Sequence, residues 1–271
     1  LYTLQIDYIY NFSGGGSDSY YYDFQGYDGG ASWGGSTTTT PIPDEEEAIK
    51  VDETEEFKKN DKINCTYQRL KKVSTIQEIL KDFFGDDAIF DVTFNVVENL
   101  NCNGNTNASG CTTDLGSNAY RIDIDLGYIN DPTTPTIFLA QSLIHEAVHA
   151  NLFAAVKKLN NGVIPRDSSF EALYDQYRQI KGWHHEVMAA HYTGIMQEAL
   201  RGVHPYLNDS RFLNGYSDNS LWNWDNFYKY LSYRGLKDTQ VGGEYYANNE
   251  EETYLYESEA KLNSSKNPNC N

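Results

Sequence analysis

The stretch from Thr136 to Leu159, TIFLAQSLIHEAVHANLFAAVKKL, constrains this chain more than any other. Its apolar residues Phe138, Leu139, Leu143, Ile144, Ala147, Val148, Leu152 and Val156 fall on nearly every side of a helix, so the helix has to run buried through the middle of a domain. Pro135 suits a first turn and Thr134 is placed to cap it. Lys157 and Lys158 complement the negative end of the dipole before Asn160, Asn161 and Gly162 stop the run. Polar groups inside such a helix need partners. His145, Glu146 and His149 are polar groups of this kind, in the order HExxH. Residues four apart share a helix face, so His145 and His149 turn two imidazoles toward one point, half of a tetrahedral zinc site. Glu146 projects beside them as a general base for water, the arrangement of a zinc-dependent peptidase.

A catalytic zinc needs a third protein ligand and an open position. The segment GWHHEVMAAHYTGIMQEALRGV reads as a helix up to about Gly202 and carries His184, His185 and His191. His185 is the choice, because Met188, Tyr192 and Ala199 follow it on one face and form an apolar stripe for packing beside the HExxH helix. His184, offset by one position and sharing its face with His191, stays open as the alternative, as does a glutamate ligand, Glu186 or Glu198. His204 is the histidine left over. Tyr192, Tyr233 and His184 are the choices for a second electrophile.

A formal net charge of -18 and a pI near 4.6 argue against a nucleic-acid partner, since binding to phosphates is dominated by Lys and Arg. No apolar run is long enough to span a bilayer. Residues 1–43 are low in charge and rich in Gly, Tyr, Ser and Thr, which reads as an extended tail or linker; only the alternating LYTLQIDYIY suggests a strand, here or in whatever precedes it. Starting at Leu1, the chain reads as a processed product or as part of a larger polypeptide or surface assembly joined through this tail. Residues 44–64 are acidic and read as a second linker, leaving 65–271 as the domain. The four cysteines are Cys65, Cys102, Cys111 and Cys270. Cys102 and Cys111 flank an Asn/Gly/Thr/Ser-rich loop, so a local bridge and reduced thiols are both open.

Within the domain, Cys65 to Phe84 has helical spacing and two strands follow, in AIFDVTFNVVENL and AYRIDIDLGYI. The second strand has one apolar and one polar face and precedes the HExxH helix, which makes it the expected sheet edge for an extended substrate. Ser168 and Glu171 form a capping box for FEALYDQYRQIK. The aromatic LWNWDNFYKYLSYRGL reads as a helix ending at Gly235, and a polar helix near the C-terminus places Tyr254, Leu255 and Leu262 on the surface. The fold class expected is α+β and zincin-like: a small, mostly antiparallel sheet packed on a central HExxH helix, with further helices C-terminal to it.

Three stretches, LIHEAVHANLF, HHEVMAAHY and YLSYRGL followed by Asp238 and Thr239, resemble the SprT-like zinc metallopeptidase-type domains at the C-terminal ends of secreted or surface proteins of Bacteroidetes. The resemblance covers roughly Cys65 to Thr239 and implies a zincin fold, a secreted or cell-surface location and a protein or peptide substrate. It also implies that His145 and His149 are zinc ligands, that Glu146 is the general base, and that His185, three before Met188, is the third ligand. The chain departs from the family pattern in its second histidine, His184, and in Tyr-Arg-Gly-Leu at 233–236 where relatives tend to have Trp-Gly-Gly-Leu. The DNA-directed activity of basic family members is not implied for so acidic a chain. The reading set against the enzyme is a non-catalytic, zinc-stabilised docking module, which the 22 tyrosines would suit.

Overall fold

Alternating apolar residues in two neighbouring strands build the floor on which the HExxH helix lies. The computed structural model of the chain describes residues 51–83, 89–161, 174–217 and 222–268. Its sheet has four strands in the order β1-β2-β4-β3, with β1 at Val51–Glu53, β2 at Asp91–Val97, β3 at Gly110–Gly116 and β4 at Ala119–Asp125. Val92 and Phe94 of β2 and Tyr120, Ile122 and Ile124 of β4 are buried. They turn the apolar face of the sheet inward, as a period of two requires.

Two of the three strand pairings are parallel, β1 with β2 and β2 with β4. Only β3 with β4 is antiparallel, so the expected mostly antiparallel sheet is corrected to a mixed one. The cause is topological. The chain leaves β2, travels past the next position, lays down β3 and returns by a tight turn to place β4 in between. Ser117 and Asn118 make that turn with φ of 47° and 66°, the left-handed pair a two-residue hairpin calls for. Consequently β4 is paired on both sides, and the edge strand next to the HExxH helix is β3, not the strand expected from AYRIDID.

Between β1 and β2 the described residues form the α-helices α1 (Glu55–Lys59), α2 (Asp61–Leu70) and α3 (Ser74–Ile79), followed by a 3-10 turn at Lys81–Phe83. The acidic stretch expected to be a linker is therefore part of the domain from Val51 onward: Val51 pairs with Val92, and Phe57 and Ile63 are fully buried. Acidic residues cluster there because Glu55 and Glu56 sit in the first turn of α1, where the dipole favours negative charge. The tail of residues 1–43 and the capping box at Ser168 and Glu171 lie outside the described residues.

After α4 (Leu126–Asn130), the HExxH helix α5 runs from Thr136 to Asn160 and is buried over most of its length. Thr134 does not cap it. Pro135 occupies the cap position without a side-chain bond, and the first orphan amide, that of Thr136, instead donates to the Ser265 carbonyl at 2.9 Å. The Thr134 carbonyl accepts from Lys62 Nζ at 3.0 Å.

Further on come α6 (Trp183–Val187), a π-helical turn at Met188–Tyr192, α7 (Thr193–Val203), α8 (Ser210–Ser217), α9 (Trp224–Tyr233), α10 (Gln240–Asn248) and α11 (Glu250–Asn263). Helix α7 packs against both α5 and α9. Tyr254, Leu255 and Leu262 lie on the surface of α11, as expected, while Tyr256 and Ala260 turn inward. Cys102 and Cys111 are joined by a disulfide, Cys65 is also disulfide-bonded, and among the described residues no cysteine is free. No helix of the described residues is long and apolar enough to cross a membrane.

Candidate metal centre

Midway along α5, His145 and His149 stand one turn apart with their Nε2 atoms 3.1 Å from each other. That spacing is an N–H···N hydrogen bond between the two rings, and it is close to the roughly 3.3–3.4 Å that separates two nitrogens bound to one tetrahedral ion at about 2.0–2.1 Å. The third imidazole comes from α6. The His185 ring lies 5.5 Å from that of His145 and 4.7 Å from that of His149. One ligand atom from each of the three residues falls within 4.8 Å of the others. The structure thus brings together His145, His149 and His185, a group close enough to hold a metal ion.

His184 is not a member of this group. Its ring packs edge-on against Phe153 at 5.5 Å and against His149 at 4.7 Å, flanking the centre. The glutamate alternatives also point elsewhere: both oxygens of Glu186 accept from the Gln240 amide, at 3.2 and 3.1 Å, and Glu198 is exposed. His191 lies near the Tyr177 ring at 6.0 Å. His204 is a satisfied core histidine, fully buried with Nε2 2.6 Å from Asp209 Oδ2 and Nδ1 3.0 Å from the Tyr228 hydroxyl. Of the tyrosines weighed as a second electrophile, Tyr233 is stacked on Tyr245 at 4.2 Å, and burial first, then the charge of Asp82, pushes the Tyr192 hydroxyl up to about 12.

Burial keeps the group uncharged. Desolvation first, and then mutual repulsion with His185 and His184, pushes His145 down to about 3 from 6.5. The same causes hold His149 well below its ordinary value, and burial lowers His185. The imidazoles are therefore neutral at neutral pH, which is the form that binds a metal. The Nδ1 atoms of His145 and His149 are buried without a hydrogen-bond partner among the described residues, unlike most metal histidines, whose second nitrogen donates to an acceptor.

Glu146 is buried beside the group and tied to the sheet edge. Thr112 Oγ1 lies 2.8 Å from Glu146 Oε2, and burial raises the carboxyl to about 7 against the lowering effect of that hydrogen bond. Gly110 makes room for it: a Cβ there would meet Glu146 Cγ at 2.8 Å and Oε1 at 3.0 Å. On the other side, Gly235 at φ +90° lets the backbone pass His145, where a Cβ would sit 3.3 Å from Cε1. The loop carrying Gly235 is clamped to α5. Arg234 Nη1 lies 3.1 Å from both Tyr128 Oη and Gln141 Oε1, Gln141 Nε2 donates to the Arg234 carbonyl, and the guanidinium covers the Phe138 ring at 4.2 Å.

Nothing in the residue order marks Thr112, Gly110 or Gly235 as site residues. Gly235 shows there only as a helix stop, and Gly110 and Thr112 fall beside a loop-like Asn/Gly/Thr run. No family model, curated protein or solved structure matches the chain.

Proposed function

We propose that the chain is a zinc-dependent metallopeptidase of zincin-like organisation, acting on proteins or peptides. The observation that carries this reading is the convergence of three neutral imidazoles on one point with a buried carboxyl next to them in the chain. Three imidazoles leave a tetrahedral ion one open position, and imidazole is a favoured zinc ligand. Zinc held by His145, His149 and His185 would supply Lewis acidity, lowering the pKa of water and polarising a carbonyl oxygen.

The rest falls to the chain. Glu146, with its carboxyl raised to about 7, suits the transfer of a proton at neutral pH: as carboxylate it takes one from the attacking water, and as carboxylic acid it returns one to the leaving amine. Thr112 and Gly110 hold it in place from β3. That strand is paired with β4 on one side only, among the described residues, so its outer edge offers main-chain groups to an extended peptide. The oxidised cysteines support a location outside the reducing cytosol, in line with a secreted or surface protein.

The test pairs metal analysis with a broad peptide-library assay. The parent binds one zinc per chain and cleaves, while Glu146→Gln keeps the zinc and loses turnover. Zinc at one per chain with no cleavage by the parent favours the docking module instead, and a Glu146→Gln variant as active as the parent rules the mechanism out.

A further inference from the structure

The three histidines are held in unequal ways. His145 and His149 belong to a buried helix of 25 residues whose own hydrogen bonds fix its course. His185 rides on α6, the first five residues of a helical run that is entered through Gly182 at φ +73° and continues through the π-helical turn into α7 as far as Val203. As the first turn of that run, α6 lies where helices fray, so contacts made outside it help to set the direction in which His185 points.

The contact next to it is Glu186. Both its carboxylate oxygens accept from the backbone amide of Gln240, the first residue of α10. That amide is one of the orphan donors of a helix start, at the positive end of the dipole, so a carboxylate is favoured there. Thr239 Oγ1 satisfies a second one by accepting from Gly242 at 2.9 Å. Gly242 has no room for a side chain, since a Cβ would lie 2.0 Å from the Leu236 carbonyl oxygen, and this fixes the turn. The same turn begins at Arg234, clamped to Gln141 on α5, and passes Gly235 beside His145. One short stretch of chain therefore touches α5 at one end and α6 at the other, spanning the two elements that carry the three imidazoles.

We propose that Glu186 is a positioning residue for the third metal ligand: by gripping the Gln240 amide it fixes the rotation of α6 and so the aim of His185. The proposal rests on the metal reading of the three histidines. It assigns the glutamate next to His185 to holding that ligand rather than to binding metal itself.

The contact can be broken from either side. Glu186→Ala removes the acceptor. Gln240→Pro removes the donor and suits the backbone, because proline is tolerated at a first helical position and Thr239 before it is already extended, at φ -86° and ψ 161°. Cobalt affinity is measured by chelator competition, with the visible spectrum of the bound ion as a second readout.

Each single variant is expected to bind cobalt about tenfold more weakly, at the low end for loss of a ligand's support. The double variant should be no weaker than the worse single one, and Glu186→Gln, which keeps an acceptor, should lie closer to the parent than Glu186→Ala. Both variants matching the parent in affinity and spectrum overturns the proposal. A parent that binds no cobalt, or a His185→Ala variant that binds as tightly as the parent, overturns the metal reading itself and the proposal with it.

Discussion

The hydroxyl of Thr112 lies 2.8 Å from Glu146 Oε2 and 2.9 Å from the Glu146 carbonyl oxygen, so its single proton is shared between the carboxylate and the backbone of that residue. Replacing Thr112 with Val keeps the shape and removes the donor, leaving a buried carboxylate short of a partner. The expected cost is about 1–3 kcal/mol of unfolding free energy, with Thr112→Ser much closer to the parent. Denaturant unfolding measures it, and an unchanged midpoint for Thr112→Val would show that the bond contributes nothing.

Gly235 and Gly104 form a natural control pair. Their φ angles are +90° and +92°, but a Cβ at Gly235 would press on His145 while one at Gly104 would meet nothing within 4 Å. Alanine at either position bears the backbone penalty of about 1–2 kcal/mol. Gly235→Ala should in addition weaken zinc binding by displacing His145, and Gly104→Ala should leave it unchanged. Equal zinc affinities in calorimetric titration would mean that the close approach to His145 has no consequence.

Much of this site can be read from the residue order, and the part that cannot is informative. His145 and His149 are legible because helical spacing alone puts them on one face. For the third histidine the apolar stripe of Met188, Tyr192 and Ala199 favours His185 and leaves His184 open beside it; one position apart on a helix is a large rotation, and the structure brings His185, not His184, into the group of three. The role of β3 is hidden because Gly-Cys-Thr-Thr-Asp-Leu-Gly has no apolar alternation to mark a strand. Parallel pairing of β2 with β4 is hidden for another reason, since parallel and antiparallel strands share the same period of two. Likewise β1 is three residues inside a charged run, and its membership of the sheet follows from Val51 meeting Val92, a contact between distant segments.

Acid should destabilise the metal-free chain. His145 and His184 are depressed to about 3 and about 4 from 6.5, chiefly by burial, so their unfolded forms take up protons that the folded forms refuse. Their contribution is fully present above pH 6.5 and is lost as the pH falls toward those folded values. Glu146, raised to about 7 from 4.5, acts in the opposite sense over that interval, but as one group against two or more. The melting temperature without metal is therefore expected to fall steadily below pH 6.5, and more steeply in Glu146→Gln. A melting temperature flat to about pH 5 would contradict the neutral, buried state of these imidazoles.

The Cys102–Cys111 bridge closes a loop with a sequence separation of 9 that contains Gly110 and ends next to Thr112, the two residues that hold Glu146. Converting both cysteines to serine should cost about 2–3 kcal/mol of stability by the chain-entropy argument. Amide exchange in Gly110–Gly116 should speed up, while zinc affinity holds, because the three histidines sit on other elements. Loss of zinc binding in that variant would mean that the edge strand supports the three histidines as well as Glu146.

Crystals of the chain grown with zinc and measured at the zinc absorption edge address the main point most directly. The account predicts a single anomalous peak about 2.0–2.1 Å from one ring nitrogen each of His145, His149 and His185. No peak at that position, or a peak ligated by His184 in place of His185, would contradict it.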